Sequence, residues 1–231
     1  MKQAVAVAVA VTFDHLGDIA PFLDLLDRHG VPGTFFVQGQ YGETDPEGVK
    51  EIVGRGHELG MHGWAHERWS ELTSEDERAL ALEATRALTR AVRRAPVGFR
   101  APGGTRTPRT GAILADLGYH YDASLAGDGT ASMEPSVLDG GVPSVPFVWA
   151  GVDGAYYLRP EPADPSEVRD AWLGTLGRDL FVTICHAEIT AVEDARLAVL
   201  DDVVAAAARD ESVRVATVGQ VAREVRGLRP S

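Results

Sequence analysis

The sequence predicts an α/β fold, a mainly parallel sheet covered by helices. Three observations predict it. Strand-like and helix-like segments alternate almost from end to end, and successive β–α units build a parallel sheet with helices on its faces. Gly30, Gly56 and Gly118 each follow a helical segment, where a left-handed residue stops a helix. The opening Val/Ala run carries no polar alternation before Thr12-Phe13-Asp14-His15, as expected of a strand buried on both faces.

Taken in order, residues 4–13 form the first strand and residues 19–29 the first helix, closed by Gly30. Residues 33–37 and 58–62 are short apolar runs, read as strands, with a helix at 46–55 between them. Ser74 with Glu77 three residues later is a capping box opening a long helix over 75–94. Strands at 97–100 and 119–123 flank a helix at 109–117. Two further strands are expected at 145–150 and 155–158, then a helix at 165–176 and an apolar strand at 180–186. A helix at 192–208, a strand at 213–216 and a helix at 218–225 complete the pattern. Residues 126–146 are rich in Gly, Pro and Ser and longer than an ordinary connection, so they form a functional loop or an insertion.

Length and composition narrow the function. A chain of 231 residues with 45% apolar side chains builds a core without disulfides and is read as a single domain over 1–231. With 22 basic and 34 acidic residues, the net charge is -12, which disfavours nucleic acid or an anionic membrane as partner. Cys185 is the only cysteine, so neither an intramolecular disulfide nor a cysteine zinc cage is available. No apolar run approaches the 18 or so residues of a membrane span. Met1-Lys2-Gln3 and the apolar residues after it resemble a weak secretory signal, but the run passes directly into a polar cluster. A cytoplasmic location is therefore expected.

Parallel α/β folds gather their sites at the C-terminal ends of strands, and polar groups cluster at those ends here. Asp14 and His15 end the first strand, with Asp18 close behind. His62 and His66 stand four residues apart, a spacing that puts two imidazoles on one side of a helical turn and suits a metal clamp. The alternative is two surface or capping histidines. With His15, three converging imidazoles suit zinc or another late divalent metal. Asp14 is either a turn aspartate or a base beside a bound metal. Arg100 is either a surface residue or the partner that holds Asp14 ionised. His186 is either a core histidine or a general acid kept charged by a carboxylate such as Asp122. Cys185 reads as a buried structural thiol. Trp64, Trp69, Tyr121 and Trp149 form either an aromatic wall for a ring-shaped ligand or ordinary core.

These pieces, in this order, resemble the polysaccharide deacetylases, the NodB-homology or family-4 carbohydrate esterases. Thr12-Phe13-Asp14-His15 resembles the first motif, and residues 56–66, Gly-His-Glu-Leu-Gly-Met-His-Gly-Trp-Ala-His, resemble the second. Arg100-Ala101-Pro102-Gly103 resembles the third, Tyr121-Asp122 the fourth and Ile184-Cys185-His186 the fifth. The resemblance implies a distorted (β/α) barrel of NodB-homology type with about seven parallel strands, fewer than a full barrel has. It implies Asp14 as catalytic base, His62 and His66 as metal ligands, Arg100 as the group orienting the base and His186 as general acid. Asp122 joins the catalytic set through the fourth motif. Backbone N–H near Gly103 is implied to hold the oxyanion and Ile184 to line the acyl pocket. Trp64 and Tyr121, from the aromatic set above, are taken as further substrate contacts.

The chain departs from the family at two places. His15 stands where the family has a metal-binding Asp, which points to a three-histidine site, neutral rather than anionic. Asp18 is a substitute ligand in the second instance. Gly103-Gly104 replaces an aromatic residue common in the third motif, opening the site. The expected function is hydrolysis of a carbon–nitrogen amide bond. It is read as deacetylation of an N-acetylated sugar, oligosaccharide or related small molecule, with a divalent metal, zinc by its ligands. The alternatives are a metal-independent, allantoinase-like or imidase-like amidohydrolase and an inactive carbohydrate-binding member of the fold.

Overall fold

The computed structural model describes residues 7–127, 129 and 133–226. In chain order these form β1 (Ala8–Asp14), α1 (Ala20–His29), β2 (Thr34–Val37), α2 (Tyr41–Thr44), α3 (Pro46–Gly54), β3 (Glu58–Met61), α4 (Ser74–Val92), β4 (Gly98–Phe99) and α5 (Thr110–Asp116). There follow β5 (Tyr121–Asp122), β6 (Ser136–Val137), β7 (Pro143–Ser144), α6 (Gly154–Tyr157), α7 (Pro165–Leu173), β8 (Leu180–Cys185), α8 (Asp194–Arg209), β9 (Arg214–Val215) and α9 (Val218–Arg226). Among the described residues no helix is long and apolar enough to cross a membrane.

Every residue of β1 is buried, the consequence of helices covering one face and a filled interior backing the other. Side chains alternate across a strand, and β1 sorts by size accordingly. Val9, Val11 and Phe13 pack on the helix side with Phe22, Leu23 and Leu26 of α1. Ala8 and Ala10 face the interior with Phe36, Tyr121, Val182 and Ile184. The interior is tight. A Cβ at Gly98 would sit 1.9 Å from the Tyr121 ring, and one at Gly60 2.5 Å from the Phe36 ring, so the missing side chains admit those two aromatics.

The strand order is β6-β7-β5-β4-β3-β2-β1-β8, with β9 pairing the opening residues of β1. All neighbours run parallel except β6 with β7. Two isolated bridges close the curl: Leu125 pairs with Phe147, and Val152 with Ile184. Residues 147–152 thus reach from the β5 edge to β8. The result is the distorted α/β barrel that the alternation and the resemblance lead one to expect.

Three local expectations are corrected. The long helix is capped by Thr73, whose Oγ1 accepts the Asp76 N–H at 3.1 Å. Glu77, expected to complete a capping box, is fully buried and accepts from Trp69 Nε1, Thr107 Oγ1 and Thr110 Oγ1. Buried donors need an acceptor, and they draw this carboxylate away from the helix end. The strand expected at 145–150 is one bridge at Phe147 followed by a 3-10 turn at Trp149–Gly151. The strand expected at 155–158 is the helical turn α6, started by Asp153, whose side chain accepts from Gly154 N. A short apolar run fits either period, and a capping aspartate decides for the helix. Residues 4–6 of the expected first strand lie outside the described residues, as do 128 and 130–132 of the long connection, whose remainder supplies β6 and β7.

Candidate active site

The parity that turns Ala8 and Ala10 inward turns Thr12 and Asp14 inward as well. Gly98 and Arg100 in the β4 region, and Ile184 and His186 at the end of β8, share that parity. Asp14, His62, Arg100 and His186 therefore converge at the C-terminal end of the barrel.

Arg100 is fully buried. Its Nη1 donates to Asp14 Oδ1 at 2.7 Å and to Thr12 Oγ1 at 2.8 Å. Its Nε donates to Ala123 O at 2.9 Å, and its guanidinium carbon lies 4.1 Å from the centre of the Phe36 ring. Burial pushes the Asp14 carboxyl up, but the charges of Arg100, His62 and His186 and the Arg100 hydrogen bond outweigh it and bring it to about 2. Asp14 is an anion fixed in direction, with Oδ2 3.8 Å from His62 Nε2.

His15, His62 and His66 each offer one ring nitrogen, and the three atoms lie within 4.8 Å of one another. His62 Nδ1 is 2.9 Å from Arg100 O. A carbonyl only accepts, so Nδ1 carries the proton and the Nε2 lone pair is free. His15 Nδ1 is 2.9 Å from Glu188 Oε1, and the same reasoning leaves its Nε2 free. That His15 Nε2 is buried and without a hydrogen-bond partner among the described residues. An orphaned buried nitrogen facing two more imidazoles fits a divalent ion of the kind nitrogen ligands prefer. Burial pushes His62 down to about 3 against the pull of Asp14, and lowers His66 as well, so these rings stay neutral, as ligands must. Asp18 is exposed and outside this group.

The His62–His66 spacing acts through a turn rather than a helix. Gly63 has φ 72° and His66 φ 68°. Glu67 accepts from Trp64 N at 3.0 Å and Ala65 N at 2.7 Å, stapling the turn. His15 also has a positive φ, 70°. Left-handed non-glycine residues concentrate at functional sites, and here two of the three histidines adopt that conformation.

His186 is held by Asp153. Its Nδ1 lies 2.7 Å from Asp153 Oδ1, and its backbone N–H donates to Oδ2 at 2.7 Å. Thr190 Oγ1 donates to the same Oδ2 at 2.7 Å. Burial lowers the His186 pKa, but the hydrogen bond and charge of Asp153 outweigh that and raise it above the ordinary value. The sequence-based expectation that Asp122 faces His186 is corrected. Asp122 is one residue out of phase with the inward-facing Tyr121 and Ala123, so it points to the other side of the sheet. There it binds Ser124 Oγ at 2.6 Å and Arg106 Nη1 at 3.2 Å.

The expected substrate contacts divide. Ile184 lies in the interior two residues before His186 and pairs with Val152. Gly103 is exposed, with φ 68° and open space where a Cβ would stand. Tyr121 is fully buried and donates to Glu58 Oε1 at 2.7 Å, at the opposite end of the strands, which takes it out of the site. Trp64 is half-buried against the helix-side core beside Gly39. Trp69 is core, and Trp149, 41% exposed, is the open aromatic of the four. Cys185 is buried on the helix side and its pKa is raised by burial. Sequence reasoning gave Asp153 and Glu188 no role. Glu188 stood two residues after His186 in a polar strand-end cluster. Asp153 stood before a glycine between apolar residues and carried only the signal of a helix cap.

The profile of the polysaccharide deacetylases matches residues 2–121. A peptidoglycan deacetylase of Helicobacter pylori is 34% identical over 107 residues, 46% of this chain and 36% of that protein. A chitooligosaccharide deacetylase of Sinorhizobium fredii is 40% identical over 83 residues, 36% of this chain and 39% of that one. The chain thus spans about two fifths of the length of these curated relatives. A crystal structure assigned to the polysaccharide deacetylases, from Mycobacterium smegmatis, superposes with a TM-score of 0.84 at 26% identity, covering 100% of this chain and 97% of that one. With more than half of its residues matched by the family profile and the same barrel, the chain belongs to the polysaccharide deacetylase family.

Proposed function

We propose that the protein hydrolyses the amide of an N-acetylated sugar or short oligosaccharide, with a divalent ion, zinc by its nitrogen ligands, held by His15, His62 and His66. The observation that carries this reading is the pair of separately anchored groups beside the three imidazoles: Asp14 on Arg100 and His186 on Asp153, each at 2.7 Å. The relatives named for peptidoglycan and chitooligosaccharides support the sugar as substrate class.

A divalent ion held by His15, His62 and His66 would supply Lewis acidity for the acyl carbonyl. The chain's own residues move the protons. Asp14, ionised across the neutral range, takes the proton of the attacking water at Oδ2, while Arg100 Nη1 holds Oδ1. His186 carries its ring proton to higher pH than a free imidazole. Its Nδ1–H is tied to Asp153, so Nε2–H is the donor for the departing nitrogen. Ile184, two residues before His186 in the apolar interior, is the side chain assigned to the acetyl methyl group.

Acetate release from N-acetylglucosamine, chitooligosaccharides and peptidoglycan fragments, measured for metal-stripped and zinc-reloaded protein, tests the reading. Release from at least one of these substrates, lost on stripping and restored by zinc, is expected. No release from any of them by the reloaded protein would sink it.

A further inference from the structure

An all-histidine ligand set lacks the negative charge that a carboxylate ligand brings to a divalent ion, and His15 needs something to aim it. One side chain meets both needs. Glu188 Oε1 lies 2.9 Å from His15 Nδ1, on the far side of the ring from the buried, unpartnered Nε2. Glu188 is not a loose surface acid that happens to be near. It sits in the π-helical turn Ala187–Ala191 directly after His186. That turn is fixed by Ile189 N and Thr190 N donating to His186 O at 3.1 and 2.8 Å, and by Thr190 Oγ1 on Asp153. The turn that presents His186 therefore also presents the carboxylate behind His15.

An exposed carboxylate–imidazole contact contributes little to folding, and Glu188 is half-exposed. Its effect belongs to ligation. A carboxylate on the remote nitrogen of a metal-bound imidazole fixes the tautomer and ring orientation and raises ligand basicity. We infer that Glu188 is a positioning residue for the divalent ion: it holds His15 with Nε2 towards the site and restores, through the ring, the negative charge that the histidine ligand set lacks. The inference rests on the metal reading proposed above. It adds a residue to that reading which neither the family motifs nor the ligand set contains.

The test is zinc affinity, measured by chelator competition on the full chain, with cobalt absorption spectra as a second readout of ligand geometry. Glu188→Gln should weaken zinc about 10- to 100-fold and alter the cobalt spectrum, with the Tm of the metal-free protein unchanged. In a His15→Ala background the same substitution should change nothing further, because its route to the ion is gone. In a His15→Asp background the loss should disappear. There Glu188 faces a like charge, and Glu188→Gln should leave affinity unchanged or raise it. Wild-type affinity in Glu188→Gln overturns the inference, and so does an equal loss in the His15→Ala background, which would mark a diffuse charge effect. If wild type still binds zinc and releases acetate in those cases, the proposed function stands. A wild-type protein that binds no zinc overturns both.

Discussion

His186, partly buried, pairs with the fully buried Asp153 at 2.7 Å between Nδ1 and Oδ1, although they belong to different segments of the barrel wall. His186 directly follows the last long strand, β8. Asp153 ends the irregular segment that bridges the β5 edge to β8, where Asp153 N donates to Ile184 O at 3.0 Å. Closing the barrel and charging the histidine are therefore one structural event, and the same carboxylate starts helix α6 by accepting from Gly154 N.

Removing that charge should show in the pH profile. Asp153→Asn keeps a hydrogen-bond acceptor but no counter-charge, so the pKa of His186 should fall. In the proposed mechanism His186 acts protonated, so wild-type activity should persist below its raised pKa and be lost as pH rises through it. In the variant the alkaline limb of kcat/KM should move to lower pH, with kcat near pH 7 reduced about tenfold or more. An alkaline limb that stays in place would assign it to another group.

Asp14→Asn and His186→Ala should each lower kcat by about 10²-fold or more, the usual contribution of a general base or acid. Both variants should fold, since Arg100 keeps its bonds to Thr12 and Ala123 and Asp153 keeps Thr190 and Gly154. Turnover on acetylated substrate, read beside circular dichroism, checks this; wild-type turnover in either variant removes that residue from the mechanism.

Arg100→Met should cost about 3–5 kcal/mol at neutral pH, because it leaves Asp14 buried without its cation. The sign of the pH dependence follows from Asp14, lowered from 3.8 to about 2 by its surroundings. In wild type its contribution is present above 3.8 and lost as pH falls through about 2. In the variant burial raises Asp14 above 3.8, so the folded variant takes up its proton at higher pH, and the stability gap between the two proteins should begin to narrow above 3.8 and go on narrowing as pH falls towards about 2. Urea unfolding at several pH values measures this gap, and a gap that widens on acidification contradicts the assignment.

The protein should bind about one zinc per chain, and His62→Ala should abolish tight binding. Proton competition at His62 and His66 should set in below the ordinary imidazole pKa of about 6.5, since burial lowers both rings. Zinc titrations across pH read the midpoint directly; half of the affinity lost near 6.5 would mean rings as open to water as free imidazole.

His15→Asp should tighten zinc relative to His15→Ala and retain activity, because it places an anionic ligand at that position. If His15 instead donates a hydrogen bond to substrate, the aspartate should be as damaging as alanine. Zinc affinity and kcat/KM across the three proteins separate the cases.

The sequence by itself determined the elements whose signal is local. The apolar run from Ala8 to Val11, carried on by Thr12 and Phe13, specifies a strand buried on both faces, and the period of two along it carries Asp14 to the interior. Arg100 and His186 were legible for the same reason, as polar residues directly after apolar strands, and His62 and His66 by their spacing. The tertiary structure decided what depends on contacts between distant segments. Residues 147–152, read in part as a strand, pair through single bridges rather than a ladder. Only barrel closure brings Asp153 to His186 and leaves Asp122 on the other face of the sheet. Tyr121 looked like a ligand wall until the space left by Gly98 turned it into the filling of the barrel interior. Glu188 acquired a partner only when the turn after β8 folded back over His15. Periodicity is written along the chain, whereas closure and clearance are set by which side chains meet across it, and no single segment encodes that meeting.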